Sequence, residues 1–175
     1  MGEASAAVRW RKPECFQLAD DGETPNNPNL PLTLYRGAVS LPANGDGAAV
    51  FERLFAANGW TSSWRNGIYG FLHFHTHSHE VLGIVRGRAS VQFGGQDGPV
   101  VDVAAGDVVI LPAGTGHQRK SASHDLLVVG AYPLGGGPRY VEPGEVDHDR
   151  AAASIAAVKP PEKNPIYGKD APAFG

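Results

Sequence analysis

The sequence predicts an all-β protein, an antiparallel sandwich or barrel of the jelly-roll class with one or two short flanking helices. Its 23 glycines and 14 prolines favour many short strands and turns over long helices. Runs of alternating apolar and polar residues recur between these turns, as strands with one buried face require. A chain of 175 residues is long enough to enclose one such core and short for two, so we expect a single domain.

The charge and the cysteine content indicate which partners and which cellular compartment to expect. The formal net charge is −3 and no basic run is present, so we expect neither nucleic acid nor a membrane surface as a partner. The apolar runs are shorter than the roughly 20 residues that a membrane-spanning helix needs. Cys15 stands alone and residues 1–10 lack the apolar core of a signal peptide, which predicts a soluble, cytoplasmic protein. Small molecules or a second copy of the chain are the expected partners.

The first third of the chain is predicted to hold an arm, a strand and a helix. Residues 1–31 are polar and rich in Pro, Asn and Asp, which indicates an extended arm with turns rather than packed structure. A strand is predicted at 32–39. A helix is predicted over 46–59, because Asp46 can cap its first turn, an apolar stripe follows, and an Asn-Gly pair ends it.

The remaining residues are predicted to form the barrel and a C-terminal cap. Trp60 and Trp64 are placed in a loop, where they either wall a ligand pocket or are simply buried. Barrel strands are predicted at 68–75, 80–85, 89–93, 100–103, 125–132 and in the aliphatic run before Pro112. A short helix over 149–158 precedes an extended tail that Tyr167 and Phe174 could pin to the barrel. The predicted units are the arm at 1–31, the barrel at 32–142, and the helix with its tail at 143–175.

Four histidines and a glutamate lie within eight positions of an otherwise apolar stretch. Imidazole and carboxylate are the usual ligands of divalent first-row transition metals, and side chains two apart on a strand share a face, so His73 and His75 converge. A turn at 76–79 would reverse the chain and bring Glu80, at the start of the next antiparallel strand, opposite them. Pairing His75 with His77 instead would leave only two residues before Glu80, too few for the usual turn.

A fourth ligand is predicted from a separate stretch at 106–117. An aliphatic strand runs into Pro112, and Gly114 and Gly116 then permit a sharp bend that turns His117 inward. The predicted metal site therefore comprises His73, His75, Glu80 and His117.

The two stretches resemble the paired motifs of the cupin family. The first motif is matched by Gly67, five residues, His73-Phe74-His75, four residues, Glu80, six residues and Gly87. The second is matched by Gly106, five residues, Pro112-Ala113-Gly114, two residues and His117, with Ser121 where asparagine is usual. That last position is not a metal ligand in cupins. Residues 20–37 and 77–87 also look like the YjlB-like group of single-domain cupins, a resemblance that runs from about Phe16 to Phe174 and implies a cupin jelly-roll β-barrel.

Three histidines and one glutamate around one divalent metal leave positions open for water, oxygen or substrate, whereas structural sites are normally closed. We therefore expect a metal-dependent enzyme of the dioxygenase, isomerase or decarboxylase type, acting on a small organic acid or carbonyl compound held in the barrel. A non-catalytic binding or sensing module and a metal-stiffened structural barrel are the alternatives. The same ligands accept Mn, Fe, Ni, Co or Zn, so the sequence leaves the metal open.

Residues around the predicted barrel mouth suggest further roles. Tyr69 and His79 are candidates for moving a proton during catalysis. His79, expected at the cavity mouth, is alternatively a further metal ligand or a solvated turn histidine. Arg119 shares the strand parity of His117 and either reaches an anionic substrate or forms an exposed salt bridge. Apolar walls are predicted from Phe71, Leu82, Ile84 and Phe93. An apolar back face at Leu72 and Phe74, together with the long arm, predicts a homodimer.

Overall fold

Over residues 7–175, which the computed structural model describes, the chain forms eleven β-strands and two α-helices. In chain order they are β1 (Ala7–Val8), β2 (Glu14–Phe16), β3 (Leu32–Tyr35), β4 (Val39–Ser40), α1 (Gly47–Ala57), β5 (Trp60–Asn66), β6 (Glu80–Arg86), β7 (Arg88–Phe93), β8 (Val100–Ala104), β9 (Val108–Leu111), β10 (His117–Ala122), β11 (Leu127–Pro133) and α2 (His148–Ala156).

Two antiparallel sheets carry the core. One has six strands in the order β2-β3-β9-β6-β11-β5, the other has three in the order β10-β7-β8, and β1 pairs with β4. An apolar cluster joins the two large sheets, with Leu82 and Ile84 from the first and Val91 and Phe93 from the second. Burying such side chains stabilises the fold by about 1.5–3 kcal/mol each. The predicted all-β jelly-roll class with two short helices is confirmed.

Helix α1 covers the other face of the six-stranded sheet. The Asp46 carboxylate accepts hydrogen bonds from the amides of Ala48 and Ala49, which satisfies donors that the first turn would otherwise leave open. Phe51 and Phe55 are fully buried on the sheet. The helix ends before the Asn58-Gly59 pair, so its predicted bounds, cap and buried face are confirmed.

The C-terminal segment packs onto the sheets through side-chain and backbone contacts. The Tyr167 hydroxyl accepts from the Arg11 amide and donates to the Arg9 carbonyl oxygen, while Phe174 is buried. Both residues therefore fix the tail, as predicted. Helix α2 is capped by Asp147, two residues before the predicted start, because its carboxylate accepts from the amide of Arg150. None of the helices formed by residues 7–175 is long and apolar enough to cross a membrane.

The strand predicted at 68–75 is wrong. A strand, β5, occupies Trp60–Asn66, where a loop was predicted, and residues 67–79 hold only isolated bridges at His73 and Phe74. The chain at 69–75 still runs beside the start of β10, through backbone contacts of Tyr69 with Arg119, of His73 with His117 and of His75 with Gly114. The register shifts between these contacts, which prevents a regular strand.

The N-terminal segment is extended, but over its described part, residues 7–31, it is packed. Strand β2 forms the edge of the six-stranded sheet. The buried Asn26 donates to the Gly94 carbonyl oxygen and accepts from the Gly116 amide, and Asn27 donates to the Ala113 carbonyl oxygen. Gly114 has a φ of +90°, and a Cβ there would meet the Asn26 backbone. The segment thus braces the loop that delivers His117, and it differs from the free arm expected for residues 1–31.

Candidate metal centre

Three side chains from separate elements converge on one buried point. His75 lies in the loop before β6, Glu80 begins β6, and His117 begins β10. The Glu80 Oε2 atom is 3.1 Å from His75 Nε2 and 3.4 Å from His117 Nε2. One donor atom from each residue lies within 4.8 Å of the others, and Glu80 is only 3% exposed. Glu80 begins a strand as predicted, but the predicted hairpin is wrong: β6 pairs antiparallel with β9 and β11, whereas His73 pairs with His117.

Backbone contacts explain why the two motifs meet. His73 and His117 exchange both main-chain hydrogen bonds, at 3.2 and 3.0 Å. The Gly114 amide donates to the His75 carbonyl oxygen at 2.7 Å. Ligands distant in sequence are thus held by the same short ladder, which limits their freedom to separate.

The hydrogen bonds of the imidazoles fix which nitrogen faces the site. Nδ1 of His73, His75 and His117 lies 2.8–3.0 Å from the backbone carbonyl oxygens of Phe71, Arg139 and Thr115. A carbonyl oxygen only accepts, so each Nδ1 carries a proton and each Nε2 is the nitrogen that faces the site. Outer hydrogen bonds of this kind are the usual means of orienting histidine ligands toward a metal.

His73 lies beside the three converging groups rather than among them. Its ring is 4.0 Å from that of His117, centroid to centroid, and it lines the same cavity. Burial, together with the neighbouring His117, lowers the pKa of His73 to about 3, so the ring is neutral and its Nε2 can act as a ligand. His73 therefore stays the predicted fourth ligand.

The charge balance of the site fits a divalent cation. Burial would raise the pKa of Glu80, but the neighbouring His75 and His117 lower it well below its usual range. Burial would lower the pKa of His75, yet the Glu80 carboxylate raises it on balance. An ionised buried carboxylate needs a positive charge beside it, either a proton on His75 or a metal ion. Nitrogen and oxygen donors in this arrangement suit the first-row transition metals.

A cavity of about 340 Å³ lies over the site, and all four predicted ligands line it. The sequence-predicted Tyr69 lines it, 44% exposed, at the outer end. Of the predicted apolar walls only Leu82 lines the cavity, while Phe71, Ile84 and Phe93 do not. Ile84 and Phe93 belong to the apolar core between the sheets. Ile84 shares the face of Leu82 but lies two residues farther along β6.

Sequence reasoning missed two tyrosines of the cavity, Tyr132 and Tyr140, and left the role of Trp64 open. The Trp64 indole N–H donates to the Tyr132 hydroxyl at 2.8 Å. Burial and the nearby Glu80 carboxylate raise the pKa of Tyr132, so this phenol stays protonated. Tyr132 follows Ala131, whose partner across β6 is Val81, so it stands next to Glu80. Only the strand register reveals this, and the apolar run at 125–132 carries no such signal.

Comparison with known proteins agrees with this geometry. A family model of the cupin domain matches residues 66–129, which contain His73, His75, Glu80 and His117. Over 164 residues the chain is 35% identical to the uncharacterized protein YjlB of Bacillus subtilis, covering 93% of this chain and 94% of that protein. The chain belongs to the cupin superfamily. The resemblance of this cupin to the YjlB-like group, predicted from its motifs, is thereby confirmed.

Solved structures similar to this cupin include larger proteins. A mutant oxalate decarboxylase of Bacillus subtilis is 18% identical, with 65% of this chain and 28% of that chain covered and a TM-score of 0.39. An acireductone dioxygenase from Bacillus anthracis, with a cadmium ion in its active center, is 22% identical, with 49% and 60% covered and a TM-score of 0.36. This cupin thus spans less than two thirds of either chain, and the likeness concerns the fold alone.

His79 is the clearest correction among the predicted site residues of this cupin. It was expected at the cavity mouth, but it is 1% exposed and is not among the residues that line the cavity. Its Nδ1 accepts from the Ala113 amide at 2.8 Å, and its Nε2 lies 2.9 Å from the Lys159 carbonyl oxygen. Because both nitrogens are engaged with the backbone, the geometry gives no support to a proton-moving role.

Two other polar candidates also lie outside the cavity. Arg119 does not line it, and its Nε donates to the Ile68 carbonyl oxygen at 3.0 Å. His77 is exposed and contacts the hydroxyl of Thr76. The pairing of His73 with His75, rather than of His75 with His77, therefore agrees with the structure.

Replacing His79 with alanine should lower the free energy of unfolding of this cupin by about 2 kcal/mol, since it leaves the buried Ala113 amide without its acceptor. Metal content should stay near wild type. His79→Asn, whose amide oxygen can replace Nδ1, should recover part of the loss in chemical denaturation. Burial lowers the pKa of His79, so below about pH 6.5 the unfolded chain takes up a proton that the folded chain does not. The free energy of unfolding of the wild-type protein should therefore decrease as the pH is lowered through this range. The decrease should be less steep in the asparagine variant. An alanine variant that folds as well as wild type but loses its metal would contradict this role.

Proposed function

We propose that this cupin is an enzyme that uses one divalent transition metal, Mn, Fe, Ni, Co or Zn, to transform a small organic acid or carbonyl compound. The reaction would be an oxygen insertion, an isomerisation or a decarboxylation. The observation that supports it most is the position of the converging His75, Glu80 and His117 within a cavity that reaches the exposed Tyr69 and Tyr140. A metal that only stiffened the fold would need no such cavity.

In this proposal the metal is held by Nε2 of three histidines and by the Glu80 carboxylate. Neutral imidazoles and one carboxylate leave a divalent ion with a net charge of +1. When bound, the ion would supply a Lewis-acid centre that polarises an oxygen ligand. The three Nδ1 hydrogen bonds keep the rings oriented while a ligand enters and leaves, because they tie each imidazole to the backbone.

Two tyrosines are the groups proposed to handle protons in the cavity. The Tyr132 hydroxyl accepts from Trp64, so its own proton is left to donate to Glu80 or to an oxygen of a bound acid. Tyr69 lies 5.3 Å from His73, ring to ring, and was predicted for this role from the sequence. Tyr132 would orient a ligand oxygen and Tyr69 would exchange a proton with solvent, because only Tyr69 of the two is exposed.

The test begins with elemental analysis of protein purified without a histidine tag. Metal-loaded protein is then screened against organic acids, 2-oxo acids and thiol compounds, with oxygen consumption and mass spectrometry of products as readouts. We expect turnover of at least one class, lost in the Glu80→Ala variant. Binding without turnover across the screen would replace the enzyme by a binding module, and metal without ligand binding would favour a structural role.

The homodimer and the cytoplasmic location stay predictions. Leu72 and Phe74, which first suggested a subunit interface, are buried, and Phe74 packs with Val141 and Ile155 of the same chain. The remaining support for a dimer is the open edge of each sheet, since unpaired strand edges need cover. Solution scattering at micromolar concentration measures the mass, and a monomer there would exclude the dimer.

A further inference from the structure

We propose that the preferred ligand is a carboxylic acid with a single negative charge and an aromatic body, rather than a dicarboxylic acid. This inference rests on the proposed function, since it assigns the ligand class of the same metal site. It follows from two properties of the cavity wall, its charges and its rings.

The metal is the one site in the cavity for a negative charge on the ligand, because the one cation of the wall, among residues 7–175, is already paired. Apart from the metal-site residues, the charged side chain that lines the cavity is Arg65. Its guanidinium is held by both oxygens of Glu52, at 2.7 and 2.8 Å, and by Asp46 at 3.0 Å. Two carboxylates therefore already neutralise this cation. Arg119, the other cation expected near the opening, does not line the cavity.

A single carboxylate balances the metal site when the metal is bound, because the divalent ion and Glu80 together carry a charge of +1. A second carboxylate that lay within the buried part of the cavity would leave water without gaining a cation that is not already paired. Removing an unpaired charge from water is strongly unfavourable. The charges of the cavity therefore select against diacids.

Aromatic side chains make up much of the remaining wall. Trp64 and Tyr132 form one pair, joined by their hydrogen bond. Tyr69 and Tyr140 form another, with ring centroids 5.4 Å apart, and both pack against His73. Tyr69 and Tyr140 are 44% and 39% exposed, so their rings are available to a ligand at the outer end. A planar ring contacting such faces gains offset or edge contacts in addition to its burial.

The test compares three 2-oxo acids that present the same head to the metal: phenylpyruvate, pyruvate and 2-oxoglutarate. Isothermal titration calorimetry on zinc-loaded protein measures binding without redox turnover, because Zn²⁺ has no redox chemistry. Phenylpyruvate should bind at least about tenfold more tightly than either of the others. The Tyr140→Leu variant should lose most of this advantage while its affinity for pyruvate stays within about twofold. Trp10→Leu is the matched control, since Trp10 is 65% exposed and packs on Tyr167, away from the cavity.

The outcomes separate this inference from the proposed function. If 2-oxoglutarate binds as tightly as phenylpyruvate, or if Tyr140→Leu weakens phenylpyruvate and pyruvate equally, the ligand class is wrong while the metal site still takes acids. If pyruvate and 2-oxoglutarate bind and phenylpyruvate does not, the proposed ligand class is again wrong while the metal site still takes acids. If the zinc-loaded protein binds none of the three, the proposed function fails and this inference fails with it.

Discussion

The His117→Ala variant, purified without a histidine tag, should retain only a small fraction of the metal bound by the wild-type protein. His117 supplies one of the three donor atoms that lie within 4.8 Å of one another, and its Nε2 is 3.4 Å from Glu80. Loss of an outer partner alone costs about 10–100-fold in metal affinity, so loss of a direct ligand should cost at least about 100-fold. Metal per chain, measured by elemental analysis after dialysis against a weak chelator, checks this result.

The control for this variant is His77→Ala, which removes an exposed histidine from the tract at 73–79 that also holds His73 and His75. It should keep the wild-type metal content. Equal metal loss in both variants would mean that the tract binds metal nonspecifically, as a cluster of histidines can. Full occupancy in His117→Ala would show that the converging cluster is not the metal site. Retention of metal by His73→Ala would remove only the fourth ligand from the proposal.

The Gly130→Ala variant should lose about 3 kcal/mol of its free energy of unfolding and most of its affinity for a cavity ligand. Gly130 pairs with Trp64 across β5 and β11, and the Trp64 indole lies over it. An added Cβ would stand 2.6 Å from the indole nitrogen and closer still to two ring carbons. Overpacking a core position costs about 1–3 kcal/mol, and β11 is held between β6 and β5, which limits how far its backbone can shift. The indole would have to turn, breaking its hydrogen bond to Tyr132.

Gly137→Ala is the matched control, because an added Cβ there meets nothing within 4 Å. Chemical denaturation and calorimetric titration of both variants give the two readouts. A Gly130→Ala protein as stable as Gly137→Ala would mean that Trp64 does not occupy the position described. A destabilised variant that binds ligands as wild type would separate the indole from the cavity wall.

The converging residues His75, Glu80 and His117 could be predicted from the sequence because the spacing within each of the two motifs indicates them. His75 and Glu80 are five residues apart, and the loop between them brings both side chains to one point although residues 68–75 form no strand. The helix at Gly47–Ala57 could also be predicted from the sequence, since a cap, an apolar stripe and a stop all lie within one local segment. The signals of the helix all lie close in the chain, whereas the meeting of the two motifs depends on the backbone hydrogen bonds between His73 and His117.

What could not be predicted depends on long-range contacts. Alternation of apolar residues at 68–75 indicated a strand, but the shifting register against β10 prevents one, and register is set by the partner. His79 was predicted to be a solvated or catalytic histidine because no nearby sequence feature indicates its contact with the Lys159 carbonyl oxygen, 80 residues away. Tyr132 gained its place only from the pairing of β11 with β6. The buried Asn26 likewise reads as a turn residue until its contact with Gly94 is known.

The hydrogen-bonded Trp64 gives the protein a built-in optical reporter. The chain has three tryptophans, and they lie in unlike surroundings: Trp10 is mostly exposed, Trp60 is buried with its indole bonded to the Lys163 carbonyl oxygen, and Trp64 faces the cavity. Replacing Trp10 and Trp60 with phenylalanine would leave an emission spectrum that comes from the cavity wall alone. Ions with unpaired electrons quench a nearby indole, and exclusion of water from it shifts its emission to shorter wavelength. Binding of a metal would then change the emission intensity, and binding of an organic ligand would change the emission wavelength. A compound library could therefore be screened without a label or a known reaction.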